Sequence, residues 1–202
     1  MKIKICGLNI TRDVQLCIDL KVNFLGFVFY KKSPRNTRLE DIKILSKYNK
    51  KNSSFVAVTV NPTDNFIKEN LSGNFEYIQL HGSETEERID EIKKMGFKII
   101  KAIKVKEEQD INKYKKFNKA DIILFDTPGM EKTSEFPKDL ITKLPLGKKY
   151  ALAGSVSEYN VKNISKLGVN FFDLSSSLES QLGYKDHLKI KNFINKTNEL
   201  KN

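Results

Sequence analysis

Short apolar segments recur eight times along this chain, and helix-like segments lie between most of them. Each apolar run is four to seven residues long and rich in β-branched or aromatic side chains, which is typical of a buried strand. The eight predicted strands span residues 3–6, 24–30, 55–60, 77–81, 98–103, 122–126, 150–153 and 171–174. Strands that alternate with helices favour a parallel sheet, because each helical crossover returns the chain to the same end of the sheet.

The segments between the predicted strands carry apolar residues at helical spacing, which indicates helices that face a core. The stripes are Val14/Cys17/Ile18, Leu39/Ile42/Leu45, Ile89/Ile92/Met95, Val161/Ile164/Leu167 and Ile190/Phe193/Ile194. No Gly-x-Gly-x-x-Gly follows the first predicted strand, so an open dinucleotide-binding sheet has no support. Eight strand–helix units in 202 residues predict a single-domain (β/α)8 TIM barrel over residues 1–202, with short loops.

Composition excludes several classes of protein. Apolar residues recur in every segment, which argues against disorder, and only two cysteines argue against a disulfide-stapled secreted module. No apolar run approaches the roughly 20 residues of a membrane span, and the opening residues are too polar for a signal peptide, so we expect a cytoplasmic protein. The net charge of +11 comes from lysines spread along the whole chain. That spread argues against a nucleic-acid partner. Positive charge can also attract a small anionic substrate, and we expect no membrane partner.

Polar and reactive side chains follow the ends of several predicted strands. In a TIM barrel the active site forms at the carboxyl ends of the strands, so these side chains should share one rim. They are a thiol, a guanidinium, an imidazole, a carboxylate and two small-residue turns: Cys6, Arg35, His81, Asp126, Gly154-Ser155 and Ser175-Ser176-Ser177.

Each of these residues also has a purely structural interpretation. Cys6 can be a small buried apolar residue, as we expect for Cys17, or an accessible thiol that acts as a base. Asp126 can be a turn residue or an acid that holds its proton through partial burial. Arg35 can be a surface residue, and His81 a hydrogen-bonded structural residue. We place His187 in the first turn of the last helix, and two histidines so far apart give no metal-ligand spacing.

The two small-residue turns predict a phosphate site. Backbone N–H groups of tight turns and helix starts bind phosphate dianions, and the loops after strands seven and eight are the usual phosphate site of this barrel. Gly154 and Ser155 follow the seventh predicted strand, and the serines at 175–177 follow the eighth.

Six short motifs, in order, resemble those of the phosphoribosylanthranilate isomerase family of tryptophan biosynthesis. They are residues 4–7 (KICG); 26–30 (GFVFY) with 33–35 (SPR); 79–82 (QLHG); 125–127 (FDT); 152–154 (LAG) with 160–161 (NV); and 173–176 (DLSS) with Glu179 and 183–186 (GYKD). The resemblance covers residues 4–186.

The resemblance implies an Amadori rearrangement that needs no metal and no redox cofactor. It implies that Asp126 is the general acid, Cys6 the general base and Arg35 the clamp for the anthranilate carboxylate. The chain departs from the family at Ser155 and Ser177, where glycines are usual, and in the glycine-poor loop at 128–134. These departures put lid motion and phosphate geometry in question.

Two other functional hypotheses stay open at this point. A histidine-pathway aminoaldose isomerase would rely on carboxylates, with no role for Cys6. A non-catalytic phosphate-sugar-binding or RNA-associated barrel would show no turnover of the anthranilate substrate. For the assembly, we expect a monomer or a homodimer.

Overall fold

The structure is a computed structural model, and it describes residues 1–128, 136–145, 147, 149–154 and 156–200. Eight parallel strands close into a barrel in chain order, and the eighth pairs with the first. The barrel strands are β1 (Lys2–Cys6), β2 (Phe24–Phe29), β3 (Ser54–Thr59), β4 (Tyr77–Leu80), β5 (Lys98–Lys104), β6 (Ile122–Asp126), β7 (Tyr150–Leu152) and β8 (Phe171–Leu174). The predicted TIM barrel is therefore confirmed, and every predicted strand end lies within one residue of the observed end.

A helix follows each barrel strand. The helices are α1 (Ile10–Asp19), α2 (Ile42–Leu45), α3 (Asp64–Phe66), α4 (Glu86–Lys94), α5 (Glu108–Ile111), α6 (Lys138–Ile141), α7 (Val161–Lys166) and α8 (His187–Glu199). Several are short and are extended by a tighter or wider helical turn, such as Leu39–Asp41 before α2 and Ile67–Leu71 after α3. Leu39 is 49% exposed, so its predicted place on a core-facing stripe is wrong, because the turn that holds it precedes the packed helix.

Alternate residues of each strand face two different apolar layers. On β5, Ile100 and Ala102 belong to the cluster inside the barrel, while Ile99 and Ile103 pack in the layer beneath the helices. Burial on both faces explains why the strands appear in the sequence as continuous apolar runs. It also explains why they are recognisable without the alternation of a half-exposed strand.

A small antiparallel hairpin follows β8 and was not predicted. It consists of β9 (Glu179–Gln181) and β10 (Tyr184–Lys185), joined through Gly183. Gly183 has a φ of +82°, and a Cβ there would lie 2.9 Å from the carbonyl oxygen of Pro34. Strands of two and three residues are too short to show a period, so only the fold reveals that Glu179 and Lys185 lie beside the loop after β2.

Among the described residues, no helix is both long enough and apolar enough to cross a membrane.

Candidate active site

A cavity of about 450 Å³ opens at the carboxyl ends of the barrel strands. It contains every predicted site residue that the structure describes: Cys6, Arg35, His81, Asp126, Gly154, Ser175, Ser176 and Ser177. Ser155 lies outside the described residues. The residues therefore share the expected rim, because parallel strands of a closed barrel end on one face.

Cys6 is the last residue of β1, and its side chain reaches the cavity. Ser175 Oγ donates to the Cys6 carbonyl oxygen at 3.1 Å, which joins the ends of β1 and β8. Gly7 then turns the chain away with a φ of +71°, and a Cβ at this position would stand 2.6 Å from Arg35 Cδ. A glycine at position 7 thus allows Arg35 to pass close to the thiol-bearing strand.

Asp126 ends β6 and is 4% exposed, yet its side chain lines the cavity. Its register partner is Lys104 on β5, which lines the same cavity. The backbone holds this end of β6 in place, since Val105 N–H donates to the Asp126 carbonyl at 2.8 Å. A thiol and a carboxyl group therefore face one cavity from β1 and β6.

Arg35 is bound by a carboxylate to which sequence reasoning gave no role. Its Nε and Nη2 donate to Glu179 Oε1 and Oε2 at 2.6 and 2.7 Å, and Lys185 Nζ donates to Oε1 at 2.7 Å. Burial alone would raise the pKa of Glu179, but the hydrogen bond from Arg35 and the charge of Lys185 lower it from 4.5 to about 2. Within the described chain, the Nη1 edge of Arg35 meets no acceptor and remains for a ligand.

His81 follows β4 and lies against Gln79, whose Nε2 is in hydrogen-bond contact with His81 Nε2. The loop after it is held by Glu84, which accepts from the N–H groups of Asn61 and Gly82 and from Lys101 Nζ. These contacts give His81 the structural partner that the sequence analysis expected. Its role toward a ligand stays a prediction.

Residues of the turns after β7 and β8 line the cavity. Gly154 has a φ of +102°, and Ser176–Leu178 forms a single tight helical turn. The N–H groups of Gly154, Ser176 and Ser177 meet no acceptor among the described residues. Two such turns on adjacent strands can cradle an anion without a side-chain cation.

The other candidate residues lie away from the cavity. Cys17 is fully buried in the core, as predicted, and burial raises its pKa to about 12. His187 begins α8, also as predicted, and its Nε2 lies 3.1 Å from Asp13 Oδ1. In the described part of the chain, no three His, Cys, Asp or Glu side chains come together in a way that can hold a metal ion.

Comparison with known proteins identifies the family. Residues 3–196 match the sequence model of the N-(5'-phosphoribosyl)anthranilate (PRA) isomerase family. This chain belongs to the PRA isomerase family. It is 39% identical to the N-(5'-phosphoribosyl)anthranilate isomerase of Aquifex aeolicus, over 98% of each chain.

Solved structures of PRA isomerases share the barrel. Monomers of the dimeric enzyme from Thermotoga maritima superpose with a TM-score of 0.84, at 27% identity over 98% of this chain and 99% of that one. A PRA isomerase in complex with reduced 1-(o-carboxyphenylamino)-1-deoxyribulose 5-phosphate gives a TM-score of 0.83, also at 27% identity and the same coverage.

The departures of this PRA isomerase from its family's usual pattern fall partly outside the described residues. Ser155 and residues 129–135 of the loop after Asp126 are among them. Ser177 is described and lies within the tight turn after β8, where its backbone is helical and needs no glycine.

Proposed function

We propose that this PRA isomerase converts N-(5-phosphoribosyl)anthranilate to 1-(2-carboxyphenylamino)-1-deoxyribulose 5-phosphate in tryptophan biosynthesis, with Asp126 as acid and Cys6 as base. The observation that carries the proposal is the single cavity that a thiol and a carboxyl group face from β1 and β6, beside a turn pair suited to phosphate. The reaction moves protons and breaks no bond that requires a metal or a redox cofactor.

The first step opens the sugar ring. Asp126 gives its proton to the ring oxygen as the bond from C1 to that oxygen breaks, and the nitrogen lone pair of the anthranilate forms an iminium with C1. A carboxyl group that does this must hold a proton and reach the substrate. Asp126 lies at the end of β6 and lines the cavity, which gives it access to the substrate.

The second step moves the double bond. The Cys6 thiolate takes the proton from C2, the C–H electron pair forms a C1–C2 double bond, and the iminium pair returns to nitrogen. The resulting enol then loses its hydroxyl proton while C1 gains one, which gives the ketone. Atoms and charges balance, because the acid regains a proton and the thiol gives one up.

The two anionic ends of the substrate fit two parts of the cavity. We assign the phosphate to the N–H groups of Gly154, Ser176 and Ser177, together with Ser175 and, from its place next to Gly154 in the sequence, Ser155. We assign the anthranilate carboxylate to the Nη1 edge of Arg35, which Glu179 holds in a fixed orientation. His81, on the opposite side from β8, supplies a polar contact to the sugar.

Turnover measured by loss of anthranilate-substrate fluorescence tests the proposal. Cys6→Ser and Asp126→Asn should each lower kcat by at least about 10²-fold, within the range of a general acid–base step, and change substrate affinity little. Cys17→Ala is the control, since that thiol lies in the core and its loss should leave turnover intact.

The other hypotheses predict different results in the same experiment. Near-normal turnover in either variant removes that residue from the mechanism. Turnover of the histidine-pathway aminoaldose alone, or RNA binding with no turnover, contradicts the proposed reaction.

Location and assembly complete the proposal. We place the enzyme in the cytoplasm, where cell fractionation should recover it. As a partner we propose either none or a second copy of the chain, and light scattering after gel filtration distinguishes the monomer from the homodimer.

A further inference from the structure

A buried lysine lies beneath the reactive thiol. Lys4 and Cys6 are two residues apart on β1, so both side chains project into the barrel. The Lys4 side chain is 1% exposed, and its Nζ lies 3.0 and 2.9 Å from the two carboxylate oxygens of Asp173 on β8. Cys6 and Asp173 line the cavity, whereas Lys4 stands below it and has no direct access to a ligand.

The ammonium of Lys4 and the sulfur of Cys6 both lie next to the Cα of Gly26, which has no side chain. A Cβ on Gly26 would stand 3.0 Å from Lys4 Nζ and 3.2 Å from Cys6 Sγ. Nζ and Sγ are therefore at most about 6 Å apart. An opposite charge at this distance favours the ionised form of a thiol.

Stability alone is a weak reason for this ion pair. Moving an ammonium and a carboxylate out of water costs several kcal/mol each, and apolar replacements of buried pairs are often as stable. The rest of the barrel interior is largely apolar, with Phe24, Phe171 and Val56 among its members. Burial by itself would lower the pKa of Lys4, but its interactions with Asp173 and, to a smaller extent, with Cys6 raise it above its ordinary value.

We propose that Lys4 is a positioning residue: its positive charge keeps Cys6 in the thiolate form, and this thiolate is the base. The inference rests on the proposed role of Cys6 as the base. It adds that the Lys4 ammonium stabilises the negative charge on the Cys6 sulfur. Lys4 keeps its proton throughout the cycle, and only the sulfur gains and returns one. Asp173 fixes the ammonium under the sulfur and keeps it from turning away.

Other charged groups also face Cys6. Arg35, from the loop after β2, and Lys185, from β10, both interact electrostatically with Cys6. They share the single carboxylate of Glu179. Lys4, Arg35 and Lys185 carry three positive charges, and two carboxylates, those of Asp173 and Glu179, carry two negative charges. One positive charge is left, which a thiolate at Cys6 neutralises. Among these cations, Lys4 is the one that neither lines the cavity nor belongs to the Glu179 cluster.

Alkylation of Cys6 tests the proposal without substrate. Iodoacetamide reacts with thiolates, and mass spectrometry separates the Cys6 adduct from the fully buried Cys17. The rate is measured at pH 7 and pH 9 in the wild type, in Lys4→Met and in Lys4→Gln, which keeps a donor for Asp173. Lys101→Met is the matched control, because Lys101 is equally buried and ion-paired, with Glu84 at 2.7 Å, but lies on β5.

We expect the rise in rate from pH 7 to pH 9 to be at least about tenfold larger in both Lys4 variants than in the wild type and Lys101→Met. In both Lys4 variants, kcat at pH 7 should fall at least about tenfold relative to the wild type and recover at pH 9, while KM changes less than about twofold. An unchanged alkylation profile beside a lowered kcat means a structural role and overturns the proposal.

Two further outcomes are decisive. If neither Lys4 variant folds, the wild-type rate still tests the proposal, because a rate that rises between pH 7 and 9 as steeply as that of free cysteine overturns it. If alkylation behaves as expected but Cys6→Ser retains turnover, the thiolate exists without being the base. In that case the proposed role of Cys6 as the base fails, while the assignment of Lys4 as the partner that stabilises the thiolate stands.

Discussion

At the scale of single residues, Gly26 determines how closely the side chains of Lys4 and Cys6 on β1 can approach β2. Gly26 lies opposite Cys6 in the register of β1 and β2. A Cβ there would come within 3.0–3.2 Å of Lys4 Nζ, Cys6 Cα and Cys6 Sγ, which is closer than ordinary van der Waals contact. The glycine is therefore needed for space around the thiol.

Gly26→Ala should displace the thiol by a few tenths of an ångström. Because small displacements of reacting groups have large effects on rate, we expect kcat to fall at least about tenfold. KM should change little, since the phosphate and carboxylate contacts lie elsewhere. Steady-state kinetics combined with a melting curve checks this, and an unchanged kcat in a folded variant contradicts it.

The proposed role of Arg35 depends on its planar guanidinium, because Glu179 holds two of its nitrogens and Arg35 also lines the cavity. A lysine offers one point charge and cannot contact Glu179 and a substrate carboxylate in the same geometry. We expect Arg35→Lys to raise KM at least about tenfold.

Arg38→Lys serves as the control for Arg35→Lys. Arg38 also binds a carboxylate through two nitrogens, that of Asp41, but its side chain is 70% exposed. Its kinetics should match the wild type. Wild-type kcat and KM in Arg35→Lys exclude the carboxylate clamp.

At the scale of elements, the turn after β7 is shaped by a close approach to the end of β6. Gly154 has a φ of +102°, and a Cβ there would stand 2.8 Å from Thr127 Cγ2. A larger residue at 154 would therefore clash with the end of β6. The contact with Thr127 predicts a loss of stability together with any loss of anion binding.

Inorganic phosphate should raise the melting temperature of the wild type, because a ligand that binds only the folded state stabilises it. Gly154→Ala should melt lower and lose most of this phosphate-dependent rise, since the methyl group displaces the turn. Gly96→Ala is the control, because its φ of +96° carries the same backbone strain with no atom within 4 Å of the new Cβ.

Differential scanning fluorimetry with and without phosphate compares these glycine variants. We expect Gly96→Ala to melt lower than the wild type and to keep the full phosphate effect. A full phosphate effect in Gly154→Ala places the anion site elsewhere.

At the scale of the whole molecule, ionised groups near the cavity join segments that are far apart in the sequence. Glu179 connects the loop after β2 to the hairpin after β8, and Asp173 connects β8 to β1. Because the strands form one closed barrel, we propose that residues 1–202 form one domain.

Stability should decline in acid partly because Glu179 is protonated. Its pKa lies at about 2 in the folded protein and near 4.5 when unfolded, so its contribution is complete above about pH 4.5. This contribution of Glu179 to the free energy of unfolding is lost as the pH falls from about 4.5 to about 2. The difference between its two pKa values corresponds to about 3 kcal/mol.

Urea unfolding at pH 7 and at pH 3.5 measures this contribution. Glu179→Gln should be less stable than the wild type at pH 7, and the gap should narrow at pH 3.5. Glu40→Gln, at a position 70% exposed, should follow the wild type at both pH values. A gap for Glu179→Gln that is the same at both pH values contradicts the assignment.

The sequence by itself determined the architecture of this protein. Each strand is buried on both faces, so each stands out as a short continuous apolar run, and parallel strands separated by helices can close into only a few folds. The closed barrel also fixed where chemistry must lie, which is why Cys6, Arg35, His81 and Asp126 could be chosen from their places at strand ends.

The tertiary structure alone decided which partners surround those residues. Glu179 and Lys185 lie 144 and more residues from Arg35 along the chain, in strands too short to show a pattern, and no local signal pairs them. The sequence places Lys4 on the same strand face as Cys6, but the register of β1 and β2 brings Gly26 beside them, and only barrel closure brings Asp173 to Lys4. Local periodicity records which face a residue occupies, whereas the electrostatics of a site depends on distances between strands that only the folded chain sets.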